Sequence, residues 1–444
     1  MSALPSERRM GFWMCLALVV GNIVGSGVYL LPASLAPYGL NSILGWLITS
    51  GGAIALAVVF ARLSRLFPKA GGPYVYARIA FGDCVGFLTA WGYWVGAWVG
   101  NAALAVATVA YLAELVPWIK HTAGAPAFAT CAIIWIVTYV NWRGAREMGR
   151  LQVVTTVLKL VPLVVIIALG LWLLMTADAS VIKAKPEPFS MSAINASAML
   201  TLWALLGLES ATVSAGKVDN PDRNVPLATL WGTLLAAGIY ILACSVAVLL
   251  VPSEQLATSS APFADVIRMF WGDGIASTLA LFACISGFGA LNGWTHVQAE
   301  LPRVLANEGV FPKVFAHESR HGTPDAGLII TSGLLTVLVL MNYTRSMVQF
   351  FTFIVLVVTS TYLMMYLCCA VAALKLCWNG TLGEVGRRLS PFLLIATLAA
   401  VYSVWTLFGA GAEAFWWAIV SFAVGLPVYW MMRRPVAVAT SASS

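Results

Sequence analysis

Long apolar stretches recur along the whole chain, separated by short polar connections. A bilayer-spanning helix needs roughly 20 mainly apolar residues, and twelve runs approach or exceed that length. They lie at about 12–34, 41–61, 84–115, 124–141, 151–175, 193–215, 226–251, 275–299, 326–341, 347–374, 391–410 and 413–432. The pattern predicts an all-α membrane protein with twelve transmembrane helices and no soluble domain.

Two of these runs are interrupted by glycine and polar residues, at a depth where lipid cannot hydrogen-bond the backbone. The interruptions lie at 21–27 (GNIVGSG) and at 203–210 (WALLGLES). Broken membrane helices are typical of transporters, where the freed backbone groups bind substrate near the bilayer midplane. We therefore predict discontinuous first and sixth helices around a binding site for a small charged solute.

The spacing of the interruptions predicts an internal repeat. Gly25 and Gly207 lie near the starts of the first and sixth spans. The same arrangement of five spans is therefore expected to occur twice. An odd number of spans gives the second copy the opposite topology. The expected parts are a cytoplasmic N-terminus (1–10), a first five-helix repeat (11–190), an inverted second repeat (191–376), helices eleven and twelve (377–434) and a disordered cytoplasmic tail (435–444).

Lysine and arginine predict the orientation. If the N-terminus is cytoplasmic, nineteen of the 25 Lys and Arg residues fall in cytoplasmic segments and five on the opposite face, in agreement with the positive-inside rule. Both termini are therefore expected in the cytoplasm. The net charge of +7 follows from this bias and indicates no nucleic acid partner. The composition, 60% hydrophobic and 10% charged, excludes an ordinary soluble protein.

One motif has the form of a metal site. Residues 317–321 read His-Glu-Ser-Arg-His, the H-E-x-x-H pattern of zinc proteases. The motif lies in a predicted loop that runs into helix-breaking residues at 322–324. The eight cysteines also lack metal-ligand spacing. We expect no metal, no cofactor and no catalytic residue.

In order along the chain, the motifs resemble those of the amino acid–polyamine–organocation (APC) superfamily. The likeness covers about 10–434, and its densest segments are 21–32, 71–77, 93–101, 202–226, 309–312 and 322–324, with Tyr366. Within the superfamily the chain is similar to the basic amino acid/polyamine antiporters, the branch that contains arginine/agmatine exchangers. The resemblance implies a homodimer in the bacterial inner membrane that works by alternating access.

The first break and two tryptophans predict a substrate site. Exposed amides around Ser26 favour a carboxylate, although glycines there also suit close helix packing. Indole faces attract cations, and the resemblance implies that Trp203 caps the substrate, that Trp294 stacks on its cationic end and that Asn101 faces its far end. The alternatives are that the two tryptophans are core or interfacial residues and that Asn101 bridges two helices. The predicted substrate-binding residues are Asn22, Ile23, Gly25, Ser26, Gly27, Gly96, Ala97, Asn101, Leu104, Trp203, Leu206, Trp294 and Val358.

A gate is predicted beyond the second break. Glu209 lies in a long apolar run, where a carboxyl group must find donors or take up a proton. The resemblance matches Tyr93, Glu209 and Tyr366 with a gate on the periplasmic side, which would seal the outer mouth, and gives Trp203 and Trp294 gating roles as well. The alternative for Glu209 is a structural cap on the broken helix.

Two departures from the antiporter pattern leave the coupling open. Val358 replaces a hydroxyl side chain, and Lys159 lies in mid-span, where other superfamily members have a lysine that stands in for a sodium ion. Such an ammonium must point toward carbonyls or an acid, unless it extends to the interface. We expect exchange of a cationic amino acid, arginine first, for an amine such as agmatine, an exchange that would support acid resistance; the alternative is proton-coupled amino acid uptake of broader specificity.

Overall fold

The structure is a computed structural model that describes most of the chain. The described residues are 11–25, 27–67, 71–144, 155, 158–185, 187–209, 212, 218–320, 322–342, 344–379 and 391–432. Ser26, the N-terminal segment 1–10 and the tail 435–444 lie outside them, so the predictions made for those residues stay predictions.

The described part of the chain is dominated by α-helices, connected by short turns and four 3-10 turns. The helices are α1 (Phe12–Ile23), α2 (Gly27–Leu35), α3 (Asn41–Leu66), α4 (Pro73–Phe81), α5 (Asp83–Leu115), α6 (Trp118–His121), α7 (Ala125–Trp142), α8 (Val161–Thr176), α9 (Met191–Ala204), α10 (Pro221–Leu250), α11 (Ser253–Thr258), α12 (Pro262–Trp271), α13 (Asp273–Asn307), α14 (Asp325–Met341), α15 (Met347–Trp378), α16 (Pro391–Leu407) and α17 (Gly411–Met432).

Seven apolar stretches in the described residues are long enough to cross a membrane as helices: α3, α5, α7, α10, α13, α15 and the stretch formed by α16 and α17. Together α1 and α2 supply an eighth span, bent by 43°, and α8 and α14 are shorter apolar helices. Large apolar side chains are exposed on the outside of the bundle, as lipid contact requires. The prediction of an all-helical membrane protein is confirmed, whereas the count of twelve helices and the inverted repeat stay predictions.

Both predicted interruptions are present. The first helix ends at Ile23, and α2 begins at Gly27 with a different axis. The sixth predicted span begins as α9, which ends at Ala204 and is followed by turns over 205–209. Gly207 has a φ of +100°, which an L side chain rarely adopts. The helix therefore leaves its regular path where the sequence places glycine among apolar residues.

The long helices define two ends of the bundle. At the end where α5 begins, the ammonium of Lys375 near the end of α15 lies 5.0 Å from the ring centre of Phe81. At the other end, the hydroxyls of Ser34, after the first break, and Thr352, near the start of α15, lie 2.6 Å apart. Since α1 leads into α2 toward this second end, the first is called the N-terminal end and the second the opposite end.

The core of the bundle surrounds the two breaks. Helix α5 packs against both α13 and α15, while α10 packs against α1 and α3. At Gly96, helix α5 lies so close to α15 that a larger side chain would not fit. A Cβ added to Gly96 would lie 2.4 Å from the ring of Tyr362 on α15. These crossings place the middle of α5, α13 and α15 opposite the ends of α1, α2 and α9.

Candidate functional site

A cavity of about 40 Å³ lies between the two breaks and helices α5, α13 and α15. This volume holds about three water molecules, so the space between the helices is narrow. The lining residues are Asn22, Ile23, Gly25, Gly27, Val28, Gly96, Ala97, Gly100, Asn101, Leu104, Trp203, Ala204, Leu206, Trp294, Val358 and Tyr362.

The structure brings together every predicted substrate-binding residue that it describes; Ser26 is the one predicted member outside the described residues. That these residues bind substrate stays a prediction. The sequence analysis missed Val28, Gly100, Ala204 and Tyr362. Helical spacing contained a signal for the last of them, because Tyr362 follows Val358 by one turn on α15.

The two breaks touch each other. A Cβ added to Gly207 would lie 3.4 Å from the carbonyl carbon and oxygen of Asn22 and 3.4 Å from the ring of Trp294. These are ordinary contact distances, so the unwound backbone after α9 packs directly on the end of α1. The end of α1, the start of α2 and the end of α9 therefore surround the same cavity.

Donors from different parts of the chain bind the carbonyls at the end of α1. The last carbonyls of a helix have no partner inside it, and a buried carbonyl without a donor destabilises the protein. The three donors are Lys159 Nζ to Gly21 O at 2.8 Å, Trp294 Nε1 to Asn22 O at 3.4 Å and the Tyr240 hydroxyl to Ile23 O at 2.9 Å. The break is thus held in place by side chains outside α1.

The start of α2 lies at the cavity wall. Gly27 and Val28, the first two residues of α2, both line the cavity. The first N–H groups of a helix have no intrahelical acceptor, and the positive end of the helix dipole lies there. The wall formed by α2 is therefore suited to a carboxylate.

Trp203 closes one side of the cavity. Its indole lies against Gly27, where an added Cβ would be only 2.2 Å from Nε1, and against Gly100, where an added Cβ would be 3.2 Å from the ring. The side chain thus reaches from the end of α9 to α2 and α5, and only 9% of the residue is exposed. Glycine at position 27 is required for this placement of the ring.

The predicted gate residues form one buried cluster. The Tyr366 hydroxyl donates to Oε2 of Glu209 at 2.6 Å, whereas Oε1 of Glu209 has no hydrogen-bond partner among the described residues. Tyr362 lies between the two tyrosines, with its ring centre 5.4 Å from that of Tyr93 and 6.1 Å from that of Tyr366. Glu209 is fully buried. The carboxyl thus has one of the two tyrosine donors predicted for it, whereas its action as a gate stays a prediction.

The position of this cluster corrects the expected side of the gate. Tyr93 precedes Asn101 by eight residues on α5, and Tyr366 follows Val358 by eight residues on α15. Each tyrosine therefore lies about 12 Å along its helix from the cavity wall, toward the N-terminal end. If the N-terminus is cytoplasmic, the cluster lies on the cytoplasmic side of the cavity. The expectation that it seals the outer mouth is wrong for that orientation, because α5 and α15 run antiparallel and both tyrosines shift the same way.

Lys159 points into the protein. The residue is 1% exposed, its ammonium donates to the Gly21 carbonyl, and its own carbonyl accepts a hydrogen bond from the Tyr29 hydroxyl at 2.5 Å. The expectation that the ammonium turns toward carbonyls is confirmed, and the alternative of a side chain extending to the interface is wrong. Its role in coupling stays a prediction.

Asn101 contacts a residue that the sequence analysis missed. The Asn101 Nδ2 donates to Oε1 of Gln298 at 2.6 Å. Gln298 is one helical turn beyond Trp294 on α13, and both amides are buried. A polar residue at that spacing from a predicted substrate-binding tryptophan was the available signal.

The H-E-x-x-H motif engages its neighbours in the loop. Nδ1 of His317 lies 2.7 Å from a carboxylate oxygen of Asp325, and Glu318 pairs with Arg303; His321 lies outside the described residues. Within the part of the chain that the structure describes, no group of three or more His, Cys, Asp or Glu side chains is arranged to hold a metal ion.

Comparison with known proteins shows the family. Residues 10–432 match the family model "Amino acid permease". The cadaverine/lysine antiporter of Escherichia coli (strain K12) is 36% identical over 342 residues, 76% of each chain. The putrescine transporter PotE of the same strain is 31% identical over 425 residues, 95% of this chain and 96% of the relative. PotE of Haemophilus influenzae is 32% identical over 424 residues, 95% of this chain and 97% of the relative.

The family model spans both breaks, the cavity and the tyrosine cluster, and the two transporters named PotE align along nearly their whole length. The chain therefore belongs to the amino acid permease family of the APC superfamily, in its branch of basic amino acid/polyamine antiporters.

Proposed function

We propose that this protein exchanges a basic amino acid for an amine across the bacterial inner membrane, with lysine and its decarboxylation product cadaverine as the leading pair. The observation that carries the proposal is the arrangement of the cavity. The first residues of α2 lie on one wall, and a buried carboxamide and two indole side chains lie on the others. The names of the relatives, which transport lysine, cadaverine or putrescine, support the same class of substrate.

The amino acid binds with its two ends on different walls. Its α-carboxylate lies at the N–H groups of Gly27 and Val28, where the dipole of α2 favours negative charge. The side-chain cation lies toward Asn101 and Trp294, since an indole face attracts a cation within about 6 Å. An amine without a carboxylate binds through this second half alone.

The wall near Asn101 suits an ammonium better than a guanidinium. A guanidinium carries five N–H donors in a rigid plane, whereas an ammonium carries three on one atom. Asn101 offers one carboxamide, and Val358 offers no hydroxyl. The expectation of arginine and agmatine was based on resemblance to the whole branch; these two side chains favour lysine and cadaverine within it.

Alternating access needs barriers on both sides of the cavity. Trp203 covers the substrate from α9, and the cluster of Glu209, Tyr93 and Tyr366 closes the N-terminal end. Entry of substrate therefore requires Trp203 or Trp294 to move.

The first prediction concerns transport in reconstituted vesicles. Labelled lysine is expected to enter vesicles loaded with cadaverine at least about tenfold faster than empty vesicles, because an exchanger completes its cycle only with substrate bound in both directions. Vesicles loaded with sodium chloride at equal osmolarity serve as the control, and arginine with agmatine is tested in parallel. Equal uptake into loaded and empty vesicles would contradict exchange.

Proton-coupled uptake is the second candidate, and the buried ammonium of Lys159 favours it. The ammonium binds the carbonyl of Gly21 at the end of α1, directly beside Asn22 on the cavity wall. Loss of its proton would weaken that hydrogen bond and release the end of α1. A lysine so placed is able to link a proton to the position of the broken helix.

The second prediction separates the two candidates. Lys159→Ala is expected to lower lysine–cadaverine exchange by about 10- to 100-fold, because a hydrogen bond to a charged group contributes roughly 1.5–3 kcal/mol and the Gly21 carbonyl loses its donor. Lys159→Met is the control for side-chain length. In the exchange mechanism, an acid exterior drives no uptake into empty vesicles, even in the unmodified protein. Acid-driven uptake that Lys159→Ala abolishes would instead establish symport.

A further inference from the structure

A pair of buried carboxamides joins α5 to α13 at the cavity wall. Asn101 is fully buried, lines the cavity and donates from Nδ2 to Oε1 of Gln298 at 2.6 Å. Gln298 is 1% exposed, and its backbone carbonyl accepts the indole N–H of Trp94 at 3.0 Å. Gln298 is thus tied to α5 through both its backbone and its side chain.

This pair leaves two polar atoms without partners among the described residues: Oδ1 of Asn101 and Nε2 of Gln298. A buried polar atom without a partner costs about 1–3 kcal/mol, and such atoms are rare in native proteins. An unpaired acceptor on a residue that lines a cavity is complementary to a ligand with N–H donors. The acceptor of Asn101 is therefore a binding group for the cationic end of a substrate.

Gln298 leaves one edge of the Asn101 carboxamide free in the observed pairing. Its Oε1 can only accept, so in the observed pairing it takes the N–H₂ group of Asn101 and leaves the carbonyl oxygen unused. If the Asn101 carboxamide rotated by half a turn, its N–H₂ group would face the cation instead. An apolar side chain at 298 would allow that rotation.

On the basis of the proposed function, we infer that Gln298 is a positioning residue that gives the carrier its preference for substrates with a second, terminal ammonium. It acts through Asn101 and does not line the cavity itself. The terminal ammonium of lysine or of an α,ω-diamine donates an N–H to the Asn101 oxygen. Compounds of the same length without the terminal nitrogen have no such donor.

The test compares matched ligands on purified full-length protein by calorimetric titration. Lysine is compared with norleucine, because the two ligands have the same carbon chain and differ in the terminal ammonium. The unmodified protein is expected to favour lysine. Gln298→Leu should reduce that preference by about tenfold or more, as loss of an oriented hydrogen bond to a charged group predicts. Gln298→Glu keeps the acceptor for Asn101 and should keep the preference.

A second amide pair in the same helix provides the control. Asn141 Nδ2 donates to Oδ1 of Asn292 at 3.0 Å, and Asn292 is buried on α13 outside the cavity lining. Asn292→Leu removes a carboxamide of the same helix and should leave the ligand preference unchanged. Because the readout is a ratio of affinities, a lower folded fraction cancels. If Gln298→Leu does not fold, Gln298→Met is measured.

Two outcomes overturn the inference, and they are distinguishable. An unmodified protein that binds lysine selectively, together with an unchanged preference in Gln298→Leu, refutes the role of Gln298 and leaves the proposed function standing. An unmodified protein with no preference for the terminal ammonium refutes the inference and the proposed lysine–cadaverine pair together.

Discussion

Gly27→Ala is expected to reduce substrate affinity by about 10- to 100-fold. The added methyl group would lie 2.2 Å from Nε1 of Trp203, so either the indole or the start of α2 must move. Forcing an extra methyl group into a packed site typically costs about 1–3 kcal/mol, and 1.4 kcal/mol corresponds to a factor of ten in affinity. Calorimetric titration with lysine and cadaverine measures the loss.

Substitutions at two other glycines serve as controls for this prediction. A Cβ at Gly25 in the same break would lie 3.4 Å from Ala290 and 3.7 Å from Leu104, which are ordinary contacts, so Gly25→Ala should cause a smaller loss. At Gly238 on α10 no atom lies within 4 Å of the added Cβ, and Gly238→Ala should bind substrate like the unmodified protein. An affinity of Gly27→Ala equal to that of Gly238→Ala would show that Trp203 does not cover the bound substrate.

The sequence predicted the breaks because their cause is local. Glycine and polar residues inside an apolar run cannot remain in a regular helix facing lipid, and Gly207 does adopt a backbone conformation that favours glycine. The resemblance then predicted which side chains share the cavity. The shorter helices α4, α11 and α12 were not predicted, because a search for apolar runs of spanning length does not register helices of six to ten residues.

The remaining features depend on how distant helices pack. The hydroxyl of Tyr240 on α10 binds the Ile23 carbonyl across 217 positions, and the carboxamides of Asn101 and Gln298 meet across 197. Neither pair of residues can be recognised from the hydrophobic periodicity of a single sequence. The side of the gate was misjudged for a related reason: it follows from the directions of α5 and α15, which become informative only when both helices are placed beside the cavity.

Tyr366→Phe is expected to slow exchange about tenfold or more while substrate affinity changes less than about threefold. The tyrosine and Glu209 lie outside the cavity lining, so binding contacts remain. The lost hydrogen bond to a carboxyl group contributes roughly 1.5–3 kcal/mol to the closed N-terminal end. Its loss shifts the equilibrium between the closed and open forms of that end about 10- to 100-fold. Exchange rates in vesicles and titrations on purified protein measure the two quantities separately.

The weaker closure expected in Tyr366→Phe also predicts from which side the cavity becomes accessible. In protein carrying Ala97→Cys on the cavity wall, Tyr366→Phe should accelerate labelling by a membrane-impermeant thiol reagent from the side of the N-terminus only, with the parent protein as the blank. Tyr139→Phe, which removes a tyrosine hydroxyl from an exposed position on α7, should change neither rate. Faster labelling from the opposite side would place the gate at the outer mouth. An unchanged exchange rate in Tyr366→Phe would show that the Glu209 cluster is a structural cap and not a gate. A barrier that opens in every transport cycle should change the exchange rate when it loses this hydrogen bond.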